Sequence, residues 1–127
     1  MCQVNHIHNM ARYEVKDGVG VIPEGTKKIS YGAFTSCSGL TDIKLPSTLE
    51  FIGDSAFEKC SSLSSIILPH SLTYIGEWAF DYCDALSMIA YEGTMEEWKE
   101  VEKGYEWFGN ASAQVVVCNN GEAPISE

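Results

Sequence analysis

Three equally spaced cysteines are the residues in this sequence most able to do chemistry. Cys37, Cys60 and Cys83 lie 23 residues apart, in a chain that has 5 cysteines. Catalysis by a thiolate needs a nearby base, and a zinc site needs converging ligands such as a C-x-x-C motif. The sequence has no C-x-x-C motif, and no histidine stands at a matching spacing. The series instead predicts a column of small, buried, reduced cysteines, too widely spaced in register to form a ladder of disulfides.

The histidines and carboxylates give no stronger signal for a reactive site. His6 and His8 could contact a metal, but two histidines near a chain end are weak grounds for a site, and His70 is expected on the surface. Phosphate-binding, nucleophile-elbow and zinc-protease motifs are missing from the sequence. We therefore expect no catalytic residues, no metal site and no cofactor, and we predict that the protein is not an enzyme.

Composition and charge limit the class of protein and its partners. The chain has 127 residues, of which 45% are hydrophobic and 20% charged, which is typical of one globular domain. Its formal net charge of -10 is unfavourable for binding nucleic acid or an anionic membrane surface. No apolar run is long enough to span a membrane, and the first residues lack the apolar core of a secretory signal.

The spacing of the cysteines is part of a longer internal repeat. This repeat determines where the remaining residues lie. Seven columns are identical in three successive copies, each copy 23 residues long. A period in this range predicts a solenoid, in which each coil stacks its apolar side chains on those of the next. The columns are Pro23, Pro46 and Pro69; Ile29, Ile52 and Ile75; Ala33, Ala56 and Ala79; Phe34, Phe57 and Phe80; Cys37, Cys60 and Cys83; Leu40, Leu63 and Leu86; and Ile43, Ile66 and Ile89.

Within each copy, the pattern L-x-x-I-x-Φ, where Φ is apolar, predicts a short strand. It occurs as LTDIKLP, LSSIILP and LSMIAYE. Strands one repeat apart should pair in parallel, with the invariant apolar columns inside and the variable columns outside. The predicted fold class is therefore a β-rich α/β solenoid with one such strand per coil and a C-terminal helix–strand cap. Phe34, Phe57 and Phe80 should form a single row.

The patterns L-x-x-I-x-L-P and I-G-x-x-A-F-x-x-C-x-x-L, over roughly residues 21–91, resemble the BspA-like leucine-rich repeat of bacterial and some protist surface proteins. The closing segments YEGTMEEWKEV and VVVCNNGE are also similar to the C-terminal end of that family, although Ser30 replaces the glycine seen at Gly53 and Gly76. The resemblance implies a leucine-rich-repeat module that binds a protein, through cell-surface attachment or contact with a host or matrix protein. It also implies a secreted or cell-surface location, although the chain as given carries no signal peptide.

The ends of the chain are expected to differ from the repeats. We predict an N-terminal segment or edge hairpin over 1–20, three repeats over 21–91, a C-terminal cap over 92–122 and a tail over 123–127. Asp17-Gly18 is a hairpin turn signal, and Thr94 with Glu97 reads as a capping box that opens a helix. The cap should place Trp98, Trp107 and Phe108 over the end of the stack.

The outward strand positions are the candidate binding face for a protein partner, and they become less polar toward the C-terminus. The alternative is that the chain is a structural spacer, a fragment of a larger repeat protein with no ligand of its own. The candidate residues are Asp42, Lys44, Ser65, Ile67, Met88 and Ala90.

Overall fold

The computed structural model of the protein describes residues 14–126, which wind into stacked coils around one apolar core. Each coil contributes one short strand to a first row of strands and another to a second row. The elements are β1 Glu14–Lys16, β2 Val19–Val21, β3 Lys28–Ile29, β4 Asp42–Lys44, β5 Phe51–Ile52, β6 Ser65–Leu68, β7 Tyr74–Ile75, β8 Met88–Tyr91, α1 Met95–Glu100, β9 Glu102–Lys103, β10 Val115–Cys118 and β11 Gly121–Pro124.

The pairing of these strands confirms the predicted parallel solenoid. The first row contains β2, β4, β6, β8 and β10, in two hydrogen-bonded sheets ordered β1-β2-β4 and β6-β8-β10-β11. The second row is one sheet, ordered β3-β5-β7-β9. Within each row, the strands that pair are parallel to one another. The antiparallel pairs β1/β2 and β10/β11 lie at the two ends. The register between β5 and β7 is one repeat, so that Phe51 faces Tyr74.

The row of phenylalanines predicted from the repeat is present. The rings of Phe34 and Phe57 are 5.3 Å apart and parallel to within 1°, and those of Phe57 and Phe80 have the same spacing and angle. All three side chains are buried. A centroid separation of 5.3 Å lies within the range of about 4.5–7 Å that aromatic pairs prefer. The invariant isoleucine, phenylalanine, cysteine and leucine columns therefore line the interior, whereas Pro23 of the proline column is exposed.

Hydrogen bonds also join the coils outside the strands. The backbone N–H of Phe34 donates to the carbonyl oxygen of Ala56 at 2.7 Å, and that of Phe57 donates to Ala79 at 2.8 Å. The backbone reaches this geometry through two left-handed positions in each coil, one of which is Gly32 in the first coil, Ser55 in the second and Trp78 in the third. A bulky side chain adopts this conformation at a cost of about 1–3 kcal/mol, so the contacts between coils must impose it.

The N-terminal end of the described chain is a hairpin. β1 and β2 pair antiparallel and are joined by Asp17 and Gly18, with φ angles of 52° and 83°. Positive φ at both central residues is the mark of a type I′ turn, which matches the twist of paired strands and suits Asp-Gly.

The C-terminal end carries the predicted capping box. The Thr94 side chain accepts the backbone N–H of Glu97 at 3.1 Å, and the Glu97 carboxylate accepts the N–H of Thr94 at 2.9 Å. These contacts satisfy two of the N–H groups that a helix start leaves without partners. The backbone N–H of Thr94 is the main cause, and His70 a lesser cause, of a lowered pKa at Glu97.

Tryptophans close the C-terminal end of the phenylalanine row. The Trp107 ring lies edge-on to Phe80 with centroids 6.2 Å apart, and Trp98 lies 5.7 Å from Trp107. Trp98 is 2% exposed, and Phe108, which is partly buried, packs 5.4 Å from Trp107. Beyond them, Ala123 and Ile125, in the segment expected to be a tail, are also buried.

Replacing Trp98 by alanine should lower the free energy of unfolding by about 3 kcal/mol or more, because the ring is fully buried and its removal leaves a cavity. Chemical denaturation followed by circular dichroism measures this loss. The matched control is Trp78→Ala, which removes the same side chain from a site 41% exposed and should cost much less. Equal losses of unfolding free energy for the two variants would show that Trp98 does not pack as part of the cap.

Thr94→Ala should destabilise the protein by about 1 kcal/mol, since it removes the N-cap acceptor of α1. Urea denaturation of the whole chain measures the effect, and Thr94→Ser, which keeps a hydroxyl acceptor, should retain most of the stability. The lowered pKa of Glu97 adds a pH dependence: its contribution is present above the pKa of the unfolded chain and is lost as the pH falls through the lower folded value. Identical stability for the alanine and serine variants would contradict the role of the cap.

Candidate protein-binding face

All six candidate residues lie on the outward side of the first strand row. The register aligns Ser65 with Met88 and Ile67 with Ala90. Ile66 and Ile89, which lie between them in the sequence, point inward and are buried. We call the outward side of β2, β4, β6, β8 and β10 the first-row face.

The polarity of the first-row face changes along the stack. On β4, Lys44 Nζ lies 3.3 Å from an Asp42 carboxylate oxygen and both side chains are exposed to solvent, whereas Val21 on β2 is 49% exposed. At its C-terminal end Ile67 is 51% and Met88 39% exposed. Val117, which pairs with Ala90 in the next strand, is 40% exposed. Sequence analysis missed Val117 because β10 lies outside the 23-residue period, although the valine-rich run QVVVC is typical of a strand.

A groove of about 320 Å³ crosses the first-row face between β4 and β6. Within residues 14–126, no strand ladder joins these two neighbours, which belong to different sheets. The Asp42 carboxylate accepts the backbone N–H of Ile43 at 2.9 Å, so this N–H does not enter a ladder with β6. Competition of this kind between an Asp side chain and the backbone is one reason why Asp is rare in strands. The outward lining residues are Asp42, Lys44, Ser65, Ile67 and Glu92.

The comparisons with known proteins agree with this geometry. The family model described as a BspA type leucine rich repeat region (6 copies) matches residues 19–103, from β2 to the end of β9. The chain belongs to the BspA-type leucine-rich repeat family. Repeat modules of this fold present extended surfaces to proteins and are typically scaffolds rather than enzymes.

Two solved structures of bacterial proteins are similar to the BspA-type coils of this chain. A leucine-rich repeat protein from Bacteroides ovatus ATCC 8483 has a TM-score of 0.65 and 26% identity, over 93% of this chain and 35% of that one. A leucine rich repeat protein from T. pallidum has a TM-score of 0.60 and 22% identity, over 82% of this chain and 66% of that one. The chain thus spans about a third of the length of the first protein and just under two thirds of the second. No curated protein matches the sequence.

In the BspA-type core, the cysteine column packs against the backbone instead of forming a reactive site. The Cys60 thiol donates to the carbonyl oxygen of Phe34 at 3.1 Å, and the Cys83 thiol donates to that of Phe57 at 3.0 Å. Burial raises the pKa of each of these two thiols to about 12. Because the thiolate is the nucleophile, neither cysteine is activated for catalysis.

Cys37 differs from the other two members of the column and corrects the prediction of three reduced thiols. It is disulfide-bonded, whereas Cys60, Cys83 and Cys118 are free. Sequence reasoning treated the column as uniform because the repeat makes its members look equivalent. The repeat gives no information on the state of cysteines outside the column. One of these, Cys2, lies outside the described residues.

In the described part of the chain, no group of histidine, cysteine, aspartate and glutamate side chains is arranged to hold a metal ion. His70 is exposed, as expected, and its Nε2 lies 3.0 Å from a Glu97 carboxylate oxygen. His6 and His8 lie outside the described residues. Among residues 14–126, no helix has the length and apolar character needed to cross a membrane.

A second, larger groove that sequence analysis did not identify lies on the second strand row. It has a volume of about 600 Å³. The signal that could have revealed it is the outward column Lys28, Phe51 and Tyr74, in which two aromatic residues stand one repeat apart in the segments LEFIG and LTYIG.

The thiols of Cys60 and Cys83 should resist alkylation in the native protein near neutral pH and react rapidly after unfolding. A Cys118→Ser background and mass spectrometry of labelled peptides separate the positions. The raised pKa values also predict that the free energy of unfolding falls as the pH rises from about 9 toward 12, since the unfolded thiols ionise near 9.0. Rapid native labelling at either cysteine would contradict this assignment.

Proposed function

We propose that this BspA-type chain is a protein-binding module for attachment at a cell surface, and that its first-row face receives a host or matrix protein. The observation that carries the proposal is the exposure of Ile67, Met88 and Val117 on neighbouring strands of one sheet. Clustered exposed apolar side chains on a folded protein are typical of interaction sites, whereas scattered ones are ordinary.

The arrangement of the first-row face supports a partner with a complementary apolar patch. Ile67, Met88 and Val117 form an apolar centre, and the Asp42–Lys44 pair lies to one side as a polar margin. An apolar centre with a polar rim is the usual anatomy of protein interfaces. The strands hold these side chains in a fixed register, so binding would not require the face to become ordered first.

The electrostatics of the first-row face favour a protein over a polyanion. The net charge of -10 opposes nucleic acid and anionic lipid. On the face itself, Asp42 and Lys44 neutralise each other, and Glu92 adds a negative charge to the groove beside them. The cell-surface part of the proposal is supported by the resemblance to repeats of bacterial surface proteins.

Ile67→Glu combined with Met88→Glu should reduce binding to a matrix protein at least tenfold, because two charges would be desolvated in an apolar contact. Surface plasmon resonance against a panel of immobilised matrix proteins measures the affinity, and circular dichroism confirms that the variant remains folded. Both residues are outward and exposed, so folding should be preserved.

The matched control is Tyr82→Glu combined with Tyr105→Glu, which adds the same charge at two exposed residues outside the first-row face. This control should bind as tightly as the unaltered chain. Unchanged binding by the Ile67/Met88 variant would refute the assignment of the face. If the unaltered chain captured no protein of the panel, the spacer alternative would be favoured.

A further inference from the structure

The groove on the second strand row combines aromatic rings with carboxylates. Four outward residues follow one another across the sheet in register: Lys28, Phe51, Tyr74 and Glu102. Phe51 is 41% exposed, and its ring centroid lies 6.4 Å from that of Tyr74 with the planes tilted by 55°. Together with Tyr31, Asp54 and Thr73 these residues line a groove of about 600 Å³, which we call the second-row groove.

The electrostatic environment of the second-row groove is negative on the side of Tyr74. Burial raises the pKa of the Tyr74 hydroxyl, and the charges of Asp54, Glu77 and Glu102 raise it further. Lys103, the neighbour of Glu102, does not offset these charges at the groove. Its Nζ donates instead to the carbonyl oxygens of Trp98 at 3.0 Å and Val101 at 2.7 Å.

Lys28 is the one cationic side chain among the groove-lining residues of the described chain, and it stands next to Phe51 at the opposite end of the row from Glu102. The groove therefore has a positive end, an aromatic middle and a negative end. A ligand that fits this order has an apolar or π-stacking contact in the middle and a positive charge over Tyr74 and the carboxylates.

We propose that the second-row groove binds an arginine side chain of a partner protein, with the guanidinium stacked on Tyr74, in contact with Phe51 beside it, and paired with Asp54 and Glu102. The groove lies on a different strand row from the first-row face, so this inference does not depend on the proposed function. It identifies a second contact surface and the chemistry that this surface recognises.

Arginine fits the groove better than lysine for three reasons. Its guanidinium is planar, so it can stack on an aromatic face, and it is more weakly hydrated than an ammonium group. Its five N–H donors can pair with carboxylates in a fork that a point charge cannot reproduce. A cation over an aromatic ring is stabilised by the ring quadrupole, and the nearby carboxylates add to this attraction.

The test is a titration of the isotope-labelled 127-residue chain with short peptides, followed by NMR. The probe is a blocked glycine peptide with a single central arginine, compared with the same peptide carrying lysine or uncharged citrulline. With only one charge per peptide, general attraction to an acidic protein is small. We expect the arginine peptide to shift the amide signals of Phe51, Tyr74 and Glu102, the lysine peptide to bind several-fold more weakly, and the citrulline peptide to cause no shift.

Charge-neutral variants test the site itself. Glu102→Gln should weaken arginine-peptide binding about threefold to tenfold, since a carboxylate partner is lost from an exposed position. Asp54→Asn should act in the same direction, and it keeps the Oδ1 acceptor that holds the backbone N–H of Glu77 at 2.9 Å. Phe51→Ala should remove a stacking surface and also weaken binding about threefold to tenfold.

Glu122→Gln is the matched control, because it removes the same charge from an exposed residue of β11, outside the groove. It should leave the affinity unchanged. Equal weakening by Glu122→Gln and Glu102→Gln would overturn the proposal, because the peptide would then respond only to net charge. Equal binding of the arginine and citrulline peptides, or no shift at the groove at millimolar peptide, would also overturn it. Glu102→Gln keeps the test valid even if Phe51→Ala unfolds.

Discussion

Stacking of identical apolar side chains from coil to coil is the interaction on which this structure depends. A single coil of 23 residues cannot enclose its own isoleucine, leucine and phenylalanine side chains, so each coil uses the next as the other half of its core. This dependence is visible in the row of stacked rings, in which neighbours are 5.3 Å apart: Phe34, Phe57 and Phe80. The last ring meets Trp107 instead of another phenylalanine, and the stack can therefore end.

The same packing pairs the polar groups of the interior with one another, so that binding depends on the surface residues. The thiols of Cys60 and Cys83 bond to backbone carbonyls, and every buried side-chain nitrogen or oxygen of the described chain has a hydrogen-bond partner. The buried polar groups of residues 14–126 are therefore already paired within the protein. Recognition must then come from the outward columns, which can vary because the core does not need them. The two strand rows present two such surfaces, the first-row face with its apolar centre and the second-row groove with its aromatic rings and carboxylates.

The sequence predicted the fold well because the repeat reports burial directly, through the seven columns that never change. It also contains clear local signals at both ends, Asp17-Gly18 and Thr94 with Glu97, because a turn and a helix cap depend only on atoms close in the sequence. It could not predict the disulfide at Cys37, because position in a column does not reveal contacts beyond it. The break between β4 and β6 depends on where the Asp42 carboxylate points, and the groove around Phe51 and Tyr74 depends on neighbours from three coils. Periodicity carries no information on the break, and for the groove it shows only that Phe51 and Tyr74 share one outward column.

The left-handed residues of the turns have a consequence for how such a chain can change. Gly32, Ser55 and Trp78 share one conformation at equivalent places, although glycine alone adopts it without strain. Hydrogen bonds from the adjoining coil determine the backbone conformation at these positions. The identity of the side chain does not determine it. Such corners can exchange a hydrogen atom for an indole without altering the shape of the coil. They give the protein places where new surface chemistry can arise while the architecture stays as it was.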